Sequence, residues 1–245
     1  MTPKPPPRIL ALDLARTLAL LGMAAYHFLY DLQMYGLLPP DYAVSGWLYW
    51  HARIVASSFL GLVGISLWLA QGQGLRWPAF WRRWLKVAAA AALVTIGTRI
   101  AVPEAWVFFG ILHAIALFSL LALPFLRLPW PVTLAAGLAV IWASYALPTE
   151  AMNAPLLRFI GLHAQPTWTV DFEPVFPWFA PVLIGLALGR LGTAAGIWPR
   201  LARWPAAPGP LARALAWPGR HSLIIYLLHQ PILFGLIGLY ARYLH

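Results

Sequence analysis

Apolar residues run through this chain in long blocks, separated by short joints rich in charge, proline or glycine. A helix needs about 20 mostly apolar residues to cross a bilayer. Blocks of that order recur near 9–30, 47–70, 84–101, 106–126, 130–147, 174–192 and 220–241. Inside lipid every backbone N–H and C=O must be bonded within the protein, so these blocks are expected to be helices. Trp47, Trp77, Trp84, Trp106, Trp130 and Trp217 fall near the proposed ends, where indoles anchor at the interface. The pattern predicts an all-α polytopic membrane helix bundle of about seven transmembrane helices, as a single transmembrane domain over 1–245. No internal repeat is evident, which argues against a transporter built from inverted halves.

Composition narrows this further. Hydrophobic residues make up 61% and charged residues 10% of the 245 positions, against roughly 45–50% and 25% in soluble domains. Too few charges remain to cover a water-facing surface. A formal charge of +10 would point to nucleic acid in a soluble protein. Here the bases sit in short joints between blocks, where Lys and Arg set topology, and no nucleic-acid partner is expected. Lys4 and Arg8 precede block one, Arg76, Arg82, Arg83 and Lys86 follow block two, and Arg127 follows block four. Arg190, Arg200, Arg203, Arg213 and Arg220 follow block six, on the same side. The N-terminus is therefore expected in the cytoplasm and the C-terminus outside. Lys4 and Arg8 also resemble a signal-peptide start, but Asp13 and Arg16 interrupt the apolar run, which favours a retained first span. Asp31, Asp41, Glu104, Glu150, Asp171 and Glu173 collect at the outer side. Solvated loops account for Asp41 and Glu150, whereas Asp31, Asp171 and Glu173 adjoin helix ends and are candidates for a site.

Ionisable groups inside a span are costly and mark polar paths. Block one carries Asp13, Arg16, His27 and Asp31. At about 100° per residue, Arg16 and His27 differ by only about 20° in direction, and both Asp side chains fall within roughly 60° of them. The four form one stripe, with Arg16 and His27 separated by about 16 Å along the axis. Asp13 and Arg16 can pair on their own helix face. A carboxylate one turn from His27 suits a general base, with Asp31 as its orienter. The last block repeats the theme in HSLIIYLLHQP, where Ser222, Tyr226, His229 and Gln230 share a face. Interhelical hydrogen bonding would explain them as well. His113 lies inside the fourth block, and residues 148–173 form a long outer segment able to re-enter the membrane or cap a cavity. The chain has no Cys and no His/carboxylate motif of recognised metal spacing, so no metal is expected, although haem between His27 and another His stays open.

The stretch RILALDLARTLALLGMAAYHFLYDL (8–32) resembles the opening helix of the bacterial heparan-α-glucosaminide N-acetyltransferase-like family. Asp13, Arg16 and His27 also match the D-x-x-R and R-x10-H patterns of the broader transmembrane acyltransferases. FLGLVGISL (59–67), FFGILHAIAL (108–117), DFEPVFPWFAPVLIGLALGRL (171–191) and GRHSLIIYLLHQPIL (219–233) follow in collinear order. Thr17 departs from the family, which usually has Gly there, and the catalytic His is left between His27 and His51. The resemblance implies a membrane-embedded enzyme of a bacterial cytoplasmic membrane. It would move an acetyl group from cytoplasmic acetyl-CoA to an extracytoplasmic sugar or amino sugar. His27 and Asp31 would be catalytic, and His113, Asp171, Glu173 and His229 would meet the acceptor. Arg16, Arg82, Arg83 and Arg220 would hold the donor's phosphates, since guanidinium groups bind two oxygens at once. Expected partners are membrane lipid, acetyl-CoA and a sugar or glycan acceptor, with a homodimer among the assembly states open to it. The competing reading is a proton-coupled carrier of a small polar solute, using His27, His113 and His229 as relay groups.

Overall fold

A computed structural model describes residues 8–205 and 209–243, so Lys4 lies outside the described residues. The α-helices among the described residues are α1 (Leu10–Met34), α2 (Gly46–Gln71), α3 (Trp77–Ala101), α4 (Ile111–Leu121), α5 (Trp130–Ala146), α6 (Val175–Ala194), α7 (Ile197–Ala202), α8 (Pro210–Arg220) and α9 (Ser222–Tyr243). Each expected span contains a helix, and α2, α3, α6 and α9 are long and apolar enough to cross a membrane. The fourth block differs most from expectation. Residues 106–110 are not helical, α4 has only 11 residues, and Pro124 begins a separate short turn. Eleven residues rise roughly 16 Å, about half of a hydrocarbon core. The cause is local, because Gly110 is extended at φ −93°, ψ −171° and Phe109 pairs with Phe172 in a β-bridge.

Lipid as solvent explains the surfaces. Only 6% of the apolar window of α9 and 17% of that of α3 is buried, and Ile100 and Leu93 are 79% and 61% exposed. Such faces would be costly in water and cost nothing against hydrocarbon.

Contacts cluster into two compact units, residues 1–59 with 192–245 and residues 60–191. In the second unit α2 and α6 meet through glycine. A Cβ on Gly64 would strike the carbonyl oxygen of Val182 and lie 2.7 Å from the Leu186 nitrogen, and one on Gly185 would strike the Gly61 carbonyl. Small residues let membrane helices approach until their backbones touch, which replaces the missing hydrophobic drive with dispersion. Gly189 receives the Trp68 side chain in the same way, and the Phe118 ring lies tilted against Phe179 with centroids 5.3 Å apart.

The long segment 148–173 contains only short 3-10 turns and is stitched to residues 103–110. Val170 N–H donates to Ala105 O (3.0 Å), Thr169 Oγ1 to Trp106 O (2.8 Å) and Glu173 N–H to Phe109 O (3.1 Å). Asn153 Oδ1 accepts from the amides of Ala164 and Gln165 at 2.9 and 3.2 Å, closing the middle of the loop. His163 beside it bonds Thr167 at 3.0 Å. Burial, then the positive charge of Arg158, holds His163 below its ordinary 6.5. A depressed His pKa means that the open loop binds more protons than the closed one, so closure weakens as pH falls below about 6.5. Amide-exchange protection at Ala164 and Gln165 should fall over that window, and in His163→Gln it should lose this pH dependence.

Candidate functional site

The first unit brings the polar stripe of α1 against α8 and α9. At the N-terminal end, the buried carboxylate of Asp13 receives two guanidinium groups. Arg16 Nη1 donates to Oδ1 at 2.8 Å and Arg220 Nε to Oδ2 at 3.2 Å. The helices close here because residue 219 is Gly: a Cβ would collide with the Asp13 carbonyl. Thr17 secures the contact. Its hydroxyl donates to Asp13 O (3.1 Å) and accepts from Gly219 N–H (2.9 Å). A residue that departs from the expected family pattern thus has a definite use, as the bridge between α1 and α8. Two cations on one anion leave the cluster with an excess positive charge.

Further along the same helices, His27 Nδ1 lies 2.7 Å from His229 Nε2, with the rings nearly parallel and 4.9 Å apart. His229 Nδ1 lies 2.6 Å from the Tyr226 carbonyl oxygen. A carbonyl only accepts, so His229 carries its proton on Nδ1 and, when neutral, offers a lone pair on Nε2. His27 must then donate from Nδ1, which leaves on its Nε2 a lone pair with no hydrogen-bond partner among the described residues. This is the tautomer that a general base requires, fixed by two consecutive hydrogen bonds.

His229, expected to meet the acceptor, has both ring nitrogens in contact inside the protein, Nε2 with His27 and Nδ1 with the Tyr226 carbonyl. Asp31 was expected to orient His27. Its Oδ1 accepts instead from Gln230 Nε2 at 2.8 Å, one layer further along. Arg16 and Arg220 do come together, while His51, the other candidate base, bonds the Gly22 carbonyl through Nε2 at 2.9 Å.

The remaining candidates belong to the second unit. Asp171 Oδ2 accepts from Ile111 N–H at 3.0 Å, a carboxylate placed on the positive end of α4. Gly110 makes room for it, since a Cβ there would meet that oxygen. His113 Nδ1 accepts from Gly110 N–H at 3.3 Å and its Nε2 lies 3.1 Å from Thr95 Oγ1, whose proton goes to Val107 O. Both ring nitrogens of His113 therefore tie the start of α4 to α3. Glu173 follows the stitched segment just before α6. Arg82 and Arg83 lie on α3. Arg83, with Arg76 and Gln71, lines a cavity of about 100 Å³ whose other walls are mostly apolar, including Leu67, Phe80 and Trp84. Among the described residues no three His, Cys, Asp or Glu gather as a metal site.

The sequence model of the family described as heparan-alpha-glucosaminide N-acetyltransferase, catalytic, matches residues 8–231. No curated protein and no solved structure matches the chain.

Proposed function

The chain belongs to the heparan-α-glucosaminide N-acetyltransferase catalytic family, and from that premise we propose that it transfers acetyl from cytoplasmic acetyl-CoA to an amine or hydroxyl on an extracytoplasmic sugar. Membership marks it as a membrane acetyltransferase. The finer reading places it in a bacterial cytoplasmic membrane with its N-terminus inside. The observation that carries the reading is the His27–His229–Tyr226 chain, which leaves one imidazole nitrogen poised as base.

The transfer balances on that nitrogen. His27 Nε2 takes a proton from the acceptor N–H or O–H while the acceptor atom bonds to the thioester carbonyl carbon. The tetrahedral intermediate then breaks its C–S bond, and the His27 imidazolium returns the proton to the departing sulfur, giving free CoA thiol. His229 Nε2 supports the imidazolium by accepting from Nδ1–H, the part that a carboxylate plays in hydrolase triads. The donor's phosphates need cations on the cytoplasmic side, and the Asp13–Arg16–Arg220 cluster supplies them with net positive charge. Arg82 and Arg83 are further cations of that side.

The same pair of histidines could pass a proton through the membrane, as in a coupled carrier. Purified protein in liposomes separates the two. With labelled acetyl-CoA on one side and glucosamine on the other, acetylated sugar is the expected product. Accumulation of unmodified sugar driven by a proton gradient, with no acetylated product, would replace the enzyme by the carrier.

A further inference from the structure

The acidic stripe of α1 contains two buried carboxylates in opposite circumstances. Asp13 has two guanidinium partners. Asp31 is 0% exposed, yet no cation among the described residues pairs with it, and its Oδ2 has no hydrogen-bond partner. Its one bond comes from Gln230 Nε2, and the carbonyl Oε1 of that same amide is likewise buried without a partner. Buried acceptors left without donors are expensive, and a buried carboxylate without a cation is more so. Asp31 lies one helical turn beyond His27, about 6 Å along the axis, and Gln230 directly follows His229. The two orphan oxygens thus form the layer next to the base, between the same pair of helices.

Resting on the acetyltransferase reading, we propose that Asp31 and Gln230 determine acceptor specificity by holding the acceptor's nitrogen as an ammonium, with Asp31 Oδ2 as counter-ion and Gln230 Oε1 as second acceptor. The chemistry is one-sided. Both open positions are acceptors, so the ligand must bring donors, and one of them is an anion, so the ligand should be cationic. A hydroxyl offers one proton and no charge, whereas an ammonium offers three protons and a full charge. The layer therefore captures the protonated amine. His27 Nε2 one turn away takes the first proton so that nitrogen can attack, and later gives it to the departing sulfur, while Asp31 Oδ2 takes the second proton from the tetrahedral intermediate and releases it to solvent. Asp31 and Gln230 select, and His27 with His229 activates.

Binding to the intact detergent-solubilised protein tests this apart from catalysis. The probes are glucosamine against glucose and ethanolamine against ethylene glycol, at about pH 7, where amines of this kind are still largely protonated and the carboxylate is ionised. The wild type should prefer the amine in at least one pair by about ten- to a hundredfold, the span of a hydrogen bond to a charged group. Asp31→Asn, nearly isosteric, should abolish that preference while changing the affinity for the hydroxyl partner less than about twofold. Gln230→Leu, which keeps the carboxylate, should lower it by about two- to tenfold, and serves if Asp31→Asn does not insert. Equal affinity within both pairs for the wild type overturns the inference, as does a preference that survives unchanged in either variant. His27→Ala should keep the preference while losing transfer. A wild type that prefers amines but transfers no acetyl would sink the enzyme reading and leave this site standing. One that transfers acetyl without any amine preference would do the reverse.

Discussion

His27→Ala should lose acetyl transfer by about 10²–10⁴-fold, the range general-base groups contribute, in a protein that inserts and elutes as the wild type does. His229→Ala should behave differently. It leaves the base in place but removes the acceptor that holds the Nδ1 proton, so His27 can populate the tautomer with its lone pair turned away from substrate. A smaller loss in kcat is expected, with little change in KM and an altered pH–rate profile, because the group that titrates has lost its partner. His229→Gln, whose amide oxygen can accept from Nδ1–H, should recover part of the rate. These three variants assayed with labelled acetyl-CoA across pH decide the matter. Full activity in His27→Ala removes it from the mechanism, and identical pH profiles for wild type and His229→Ala remove the pairing.

How much of this was legible in the sequence follows from what helical periodicity can encode. The stripe Asp13, Arg16, His27 and Asp31 lies on one strip of α1 because 3.6 residues per turn fixes it there, whatever packs alongside. Periodicity says nothing of the partner. His27 and His229 are 202 positions apart, and only the docking of α8 and α9 on α1 decides that His229, rather than Asp31 one turn away, receives the His27 proton. The docking itself leaves small traces in sequence. Gly219 is one, and its meaning emerges only when the Asp13 carbonyl is seen pressed against it. Asp171 and His113 stand out in the sequence because ionisable groups near an outer helix end are unusual. The same residue types also cap a short helix, and α4 starts inside an apolar block where its N-cap, Gly110, is only a weak signal. That apolar block also explains the over-long fourth span, since hydropathy cannot register an extended stretch whose backbone is satisfied by the loop at 169–173.

Gly64→Ala should be strongly destabilising. The added carbon would overlap the Val182 carbonyl and sit 2.7 Å from the Leu186 nitrogen, and both are backbone atoms that no rotamer change can withdraw. Relief requires α2 and α6 to separate along their contact, which forfeits the close dispersion that holds membrane helices together. Overpacking of this kind costs roughly 1–3 kcal/mol, and more where the backbone must move. Gly185→Ala attacks the same seam from the other helix through the Gly61 carbonyl, so the double variant should cost less than the two singles added together. Gly97 supplies the contrast. It lies mid-helix in α3 with nothing within 4 Å of a Cβ, so Gly97→Ala should stabilise by about 0.5–1 kcal/mol through helix propensity alone. Thermal or denaturant unfolding of the purified protein in detergent gives the ranking directly. The glycine seam is wrong if Gly64→Ala unfolds with Gly97→Ala rather than well below it, because helix propensity favours alanine at both positions and only the approach of α6 separates them.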